Sequence, residues 1–222
     1  MGINKEFSTE YTNDWNAYLY PNTNTLINKL GIQNNDELHE KDKEISFLKL
    51  IELYEKQING NFDAEHLRKI HKFIFSELYD WAGEYRTVYM AKKDTYFAET
   101  KDIEINLNEV LLGLKKRVKN ITSKFELADV LAEYYINVQH IHPFREGNSR
   151  TIREFFRQFV LEITPLLETG QLELDLTEFD KKTIATARET MTKYFRYPIT
   201  EQFNKALKKP EEIKTDQRKN RM

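Results

Sequence analysis

The sequence predicts an all-α protein, a single helical domain carrying one short β-hairpin. Three observations predict it. Glycine and proline, the residues that interrupt regular structure, number only seven and five among 222 residues. Apolar residues recur at 3.6-residue spacing along most of the chain. Only from Arg86 to Glu99 does the pattern turn to β-branched and aromatic residues, around Lys93-Asp94, which signals a hairpin.

Taken in order, the first helix is expected over Asp36 to Gln57, with Ile45, Leu48, Ile51 and Tyr54 on one apolar face and Gly60 beyond its end. Asp63 caps the next, which turns Leu67, Ile70 and Ile74 to the core. After the hairpin, Ile103, Leu107, Val110, Leu114 and Val118 form another helical stripe. Ser123-Lys124-Phe125-Glu126 is a capping box and opens the helix that leads to His142. Pro143 stops it, because proline lacks the N–H and its ring does not fit the ladder. A further helix runs from about Asn148 to Ile163, with Phe155, Phe156, Phe159 and Val160 inward. Two more, near Thr177–Tyr194 and Ile199–Lys208, complete the body. Domain boundaries follow: an N-terminal extension over 1–17, the helical domain over 18–208, and a charged, non-periodic tail over 209–222, expected to be disordered.

Composition narrows the function. Thirty-four basic residues against 36 acidic ones give a net charge of −2, without the basic footprint of a nucleic-acid binder. No run of about 18 apolar residues is present, so no membrane span is expected, and the N-terminus has no apolar signal stretch. With no cysteine there is neither disulfide framework nor thiol nucleophile. The expectation is a cytoplasmic bacterial protein, with secretion as an effector left open.

The chemistry concentrates in His142-Pro-Phe-Arg-Glu-Gly-Asn-Ser-Arg-Thr-Ile-Arg153. A helix N-terminus offers unpaired N–H groups and a positive dipole end to a phosphate. Gly147, Asn148 and Ser149 let backbone approach that phosphate closely. Arg150 and Arg153, three apart, share a helical face and can fork onto phosphate oxygens. Glu146 suits a hard cation bridging phosphates, and His142 a general base. No Gly-Lys pair occurs anywhere, which excludes a P-loop. These residues describe phosphoryl or nucleotidyl transfer.

They also resemble a family signature. His-Pro-Phe-x-(Asp/Glu)-Gly-Asn-Gly-Arg-x-x-Arg marks the Fic domains (filamentation induced by cAMP), and the chain departs from it only at Ser149. Asp63 to Arg86, with Leu67-Arg68-Lys69-Ile70-His71 and Tyr79-Asp80-Trp81-Ala82-Gly83-Glu84-Tyr85-Arg86, is similar to the family's first core helix and following turn. Thr95-Tyr96-Phe97-Ala98 resembles the flap that docks a target segment. The resemblance implies an all-helical adenylyltransferase moving AMP from ATP, with Mg²⁺ or Mn²⁺, to a Ser, Thr or Tyr hydroxyl of another protein. It implies His142 as base, Glu146 as metal ligand and Gly147, Asn148, Ser149, Arg150 and Arg153 around the nucleotide. Lys93, Tyr96, Phe97 and Ala98 would dock the target; the alternative is a surface hairpin pinned to the core by its aromatics. Rival functions are a Doc-like protein kinase, against which Gly147 argues, and a nucleotide-binding relic.

Many relatives carry an inhibitory (Ser/Thr)-x-x-x-Glu-(Gly/Asn) helix, which is not found here, Thr186-Ala187-Arg188-Glu189 having the wrong spacing. That resembles the subgroup inhibited by a separate small antitoxin. His140 and His71 are expected to be structural, Arg145 exposed, and Arg157 paired with a surface carboxylate. Ser149 is expected at negative φ, where serine costs little.

Overall fold

Side-chain caps mark where the helices begin. Asn34 accepts from the Asp36 and Glu37 amides at 2.9 and 3.0 Å, and Asp63 from the His66 amide at 2.9 Å. Ser123 accepts from the Glu126 amide at 3.2 Å, while the Glu126 carboxylate reaches back to the Thr122 amide at 3.0 Å. Each such cap contributes about 0.5–2 kcal/mol. The computed structural model describes residues 16–92, 95–180, 183 and 196–213. They form α1 (Asn35–Glu55), α2 (Ala64–Phe75), α3 (Ile103–Arg117), α4 (Lys124–Ile141), α5 (Asn148–Ile163) and α6 (Arg196–Ala206).

The all-α expectation holds. α4 lies at the centre, packed on α3, α5 and α6, and α5 also packs on α2. Tyr135, Phe156 and Phe203 meet edge-on or tilted, their ring centroids 5.5–6.1 Å apart. Arg196 fastens α6 to α4 through Asp129 and Glu133. The predicted core positions of α2, α3 and α5 are buried, Val110 only partly.

α1 departs from its predicted orientation. Leu48, Ile51 and Tyr54, expected inward, are about half exposed, and Phe47 beside them is more exposed still. The buried face carries Leu38, Asp42, Ser46 and Leu53. Two polar residues are turned inward because their partner, Arg150, lies inside.

The hairpin forms as β1 (Ala91–Lys92) and β2 (Thr95–Tyr96), antiparallel, with Ala91 opposite Tyr96. A second pair was not foreseen. β3 (Glu173–Leu174) pairs with β4 (Leu207–Lys208), so the helix expected to run to Lys208 ends at Ala206. Lys209 then leads into a helical turn that buries Ile213. Of the helix expected near Thr177–Tyr194, residues 181–182 and 184–195 lie outside the described residues, as do 1–15 of the extension and 214–222 of the tail. No helix among the described residues is long and apolar enough to cross a membrane.

Candidate active site

The segment from His142 to Asn148 joins the C-terminal end of α4 to the N-terminus of α5, and side chains fasten it at nearly every residue. Asn148 closes the loop on itself: its amide donates to the Phe144 carbonyl at 2.6 Å and its oxygen accepts from the Phe144 N–H at 2.9 Å. His71 holds the next link. The Gly83 N–H donates to His71 Nδ1 at 2.8 Å, which leaves Nε2–H to donate to the Glu146 carbonyl at 3.0 Å. The His71 ring also stacks on Phe144, centroids 3.8 Å apart.

Burial pushes the His71 imidazole down to about 3, so folding holds it neutral. The unfolded chain binds a proton there below about pH 6.5, whereas the fold does not until about pH 3. Stability should therefore be complete above about pH 6.5 and fall as pH drops from there towards 3. Thermal melts of the protein and of His71→Asn across that window check it: the variant, less stable throughout, should show a shallower decline.

His142 is the C-cap of α4, in the left-handed region at φ 49°. For a non-glycine residue that conformation stores on the order of 1–2 kcal/mol. Arg86 holds it there. Its Nε donates to the His142 carbonyl at 2.7 Å and its own backbone N–H to the Pro143 carbonyl at 2.9 Å. The same guanidinium reaches the carbonyls of Ile141, Val88 and Ala98. Burial lowers Arg86 to about 10, so it remains a cation at neutral pH, seated against the negative end of the α4 dipole. One side chain thus ties the predicted base to the segment that leaves the hairpin.

The hairpin approaches from the other side. Phe97 is buried and stacks on the His142 imidazole, centroids 4.0 Å apart and planes 10° apart. Ala98 is half-buried and its N–H points to the His140 carbonyl at 3.4 Å. Tyr96 is two-thirds exposed. Lys93, expected in the docking flap, lies outside the described residues.

Gly147 turns the chain into α5 at φ +80° and is its N-cap, without a side-chain capping bond. The first intrahelical bond is Thr151 N–H to the Gly147 carbonyl at 3.1 Å, so the amides of Asn148, Ser149 and Arg150 have no helical acceptor. Ser149 lies within α5 and outside the positive-φ residues, as expected. Glu146 is half-exposed, and its carboxylate accepts from the Gly147 N–H at 2.9 Å. Arg153 is half-buried; its Nε donates to the Ser149 carbonyl at 3.2 Å, and no described carboxylate pairs with it. Arg150 is heavily engaged. It meets Asp42 through both terminal nitrogens and Ser46 Oγ at 2.7 Å, lies 4.7 Å over the Phe75 ring, and keeps Glu146 at 3.6 Å.

Sequence reasoning missed Asp42, Ser46, Phe75 and Arg86 as parts of this site. The available signal was Asp42 and Ser46 standing four apart, on one face of the helix. Two expectations are corrected. Arg145 is half-buried over Tyr18 rather than exposed. Arg157 does pair with a carboxylate, Glu154, but both are buried, and Arg157 also donates to the Leu53 carbonyl of α1 at 2.9 Å. His71 is structural, as expected.

Residues 61–160 match the Fic/DOC family. Protein adenylyltransferase VbhT of Bartonella schoenbuchensis is 32% identical over 69% of this chain, which spans about a third (32%) of that relative. The "Probable protein adenylyltransferase Fic" of Escherichia coli is 31% identical over 65% of this chain and 72% of its own. Among solved structures, BepC of Bartonella tribocorum with bound AMPPNP superposes with a TM-score of 0.75 at 26% identity, over 88% of this chain and 97% of that one. Shared motif, shared fold and shared sequence agree: the chain belongs to the Fic/DOC family.

Proposed function

We propose that this chain is a protein adenylyltransferase, which transfers AMP from ATP to a Ser, Thr or Tyr hydroxyl of a target protein. The observation that carries the reading is a strained, tightly held histidine followed at once by an anion-accepting helix end turned by Gly147. The names of the relatives and the nucleotide in BepC support it.

The phosphates lie over the amides of Asn148 and Ser149, displacing the Glu146 carboxylate from the Gly147 N–H. Arg153 takes the outer phosphate. Arg150, with Nη1 fully used by Asp42 and Ser46, has Nε and part of Nη2 left for an oxygen. No cluster of three or more metal-ligating side chains exists among the described residues. A lone, half-exposed Glu146 fits Mg²⁺ or Mn²⁺ that arrives on the nucleotide, since such ions are bound by one or two carboxylates plus phosphates. Held there, the ion would supply positive charge against the departing pyrophosphate. His142 removes the proton of the target hydroxyl, whose oxygen bonds to the α-phosphorus as the bond to pyrophosphate breaks. Phe97 keeps the imidazole plane fixed during that step, and the exposed Tyr96 meets the target.

On this reading residues 18–208 are the catalytic unit, acting in the bacterial cytoplasm or, after secretion, as an effector. Regulation follows from Arg153: a small antitoxin helix that set a glutamate against it would compete with the outer phosphate. The test is incubation with ATP and a bacterial lysate, followed by mass analysis of the labelled protein. One added AMP on a hydroxyl residue is the expected result. An added phosphate would mark a kinase, and no addition a relic; either overturns the reading.

A further inference from the structure

We propose that Asp42, assisted by Ser46, is a positioning residue of the phosphate site: it holds Arg150 against Phe75 and takes up most of its charge, so that Glu146, left with one contact to Nη2 at 3.6 Å, can turn to the cation carried by the nucleotide. This rests on the nucleotide reading above.

Arg150 has two carboxylates within reach. Asp42 accepts from both terminal nitrogens, and its side chain is only 7% exposed. Glu146, one helical turn before Arg150, is 47% exposed and stands 3.6 Å from Nη2. A bidentate pair in a dry slot outweighs a single contact at the surface, and the Phe75 face beneath the guanidinium favours the same place. Ser46 Oγ fills the second Nη1 donor, and the Tyr79 hydroxyl approaches Asp42 at 3.4 Å. These contacts explain why α1 turns polar residues inward, a costly arrangement unless the buried groups are paired.

The arrangement bears directly on metal binding. With Asp42 present, the Asp42–Arg150 pair is neutral and Glu146 keeps its charge for a cation. Without that carboxylate, Arg150 carries an uncompensated positive charge beside Glu146, pairs with it at i,i+4 spacing, and repels an incoming ion. The same freed charge attracts metal-free nucleotide.

The experiment measures AMPPNP affinity by calorimetry with and without Mg²⁺, for the protein and for Asp42→Asn. The protein should bind more tightly with Mg²⁺. In Asp42→Asn, that enhancement should shrink by roughly tenfold, the order expected for one charge uncovered near the ion, while metal-free binding holds or improves. In a Glu146→Gln background, Asp42→Asn should alter the enhancement by a smaller factor, because only the repulsion by Arg150 remains and the competition for Glu146 is gone. Ser46→Ala, which leaves the charge pair intact, should shift it the same way by a smaller factor and serves if Asp42→Asn does not fold. An unchanged enhancement in both variants, or equal weakening with and without metal, would overturn the positioning role alone. If the protein itself bound no AMPPNP, the nucleotide reading would fall and this one with it.

Discussion

His142→Ala should lower AMP transfer by about 10²–10⁴-fold, the usual contribution of a general base, while nucleotide affinity changes little. The separation is expected because the phosphate site is made by residues after the histidine. Arg86 and Asn148 bind backbone atoms of the loop, and backbone survives the substitution. Alanine tolerates the left-handed region no better than histidine, so the loop keeps its strain, and the lost ring exposes Phe97. A modest loss of thermal stability is therefore part of the expectation. Single-turnover rates with saturating ATP, beside direct nucleotide binding, give the answer. A variant that transferred AMP at more than about a hundredth of the parent rate would remove His142 from the chemistry.

Among the described glycines, Gly147 should be the one least tolerant of alanine. A Cβ there would lie 2.3 Å from Cε2 and Cζ of Phe75, and φ is +80°. Left-handed backbone costs an alanine about 1–2 kcal/mol, and overpacking adds about 1–3 kcal/mol. For a chain of this size the sum lowers the melting temperature by roughly 5–15 °C. Function should suffer more, because the turn sets the direction of the Asn148 and Ser149 amides. Pairing the change with Phe75→Leu should recover part of the stability, the part due to the clash, and little of the nucleotide binding. A single variant that melts with the parent and binds ATP normally would mean that Gly147 does not set this turn.

Local chemistry was what the sequence made readable. The capping box at Ser123–Glu126, the cap at Asp63 and the hairpin centred on residues 93–94 all depend on neighbours within a few positions, and each formed as expected. Pro143 ended α4 where it should. The misreadings share a different cause. α1 shows an apolar stripe that ordinarily faces inward, but its partner lies 108 residues further on, and no local pattern reveals that Arg150 waits in the interior. The sequence marks Arg86 only as the end of a family-like turn and Arg157 as a surface partner, yet each finds buried acceptors that only the tertiary fold assembles. The candidate site was legible as a string of residues. Its scaffolding was not, since Asp42, Phe75 and Arg86 reach it from three separate stretches of chain.

The inverted setting of α1 also bears on how the molecule comes apart. That helix fully buries only Leu38 and Leu53 among its larger apolar side chains, so collapse does little to retain it. Two of its attachments are polar, Arg150 to Asp42 and Ser46, and Arg157 to the Leu53 carbonyl, and both are extended by α5. Regions held by few apolar contacts open at lower free energy than the global transition. α1 should thus peel away while α4, α5 and α6 are still packed, and each such opening strips Arg150 of its carboxylate. On warming, the metal-assisted geometry of the phosphate site would be lost ahead of the fold, and heat inactivation would report the detachment of one helix while most of the body is still native.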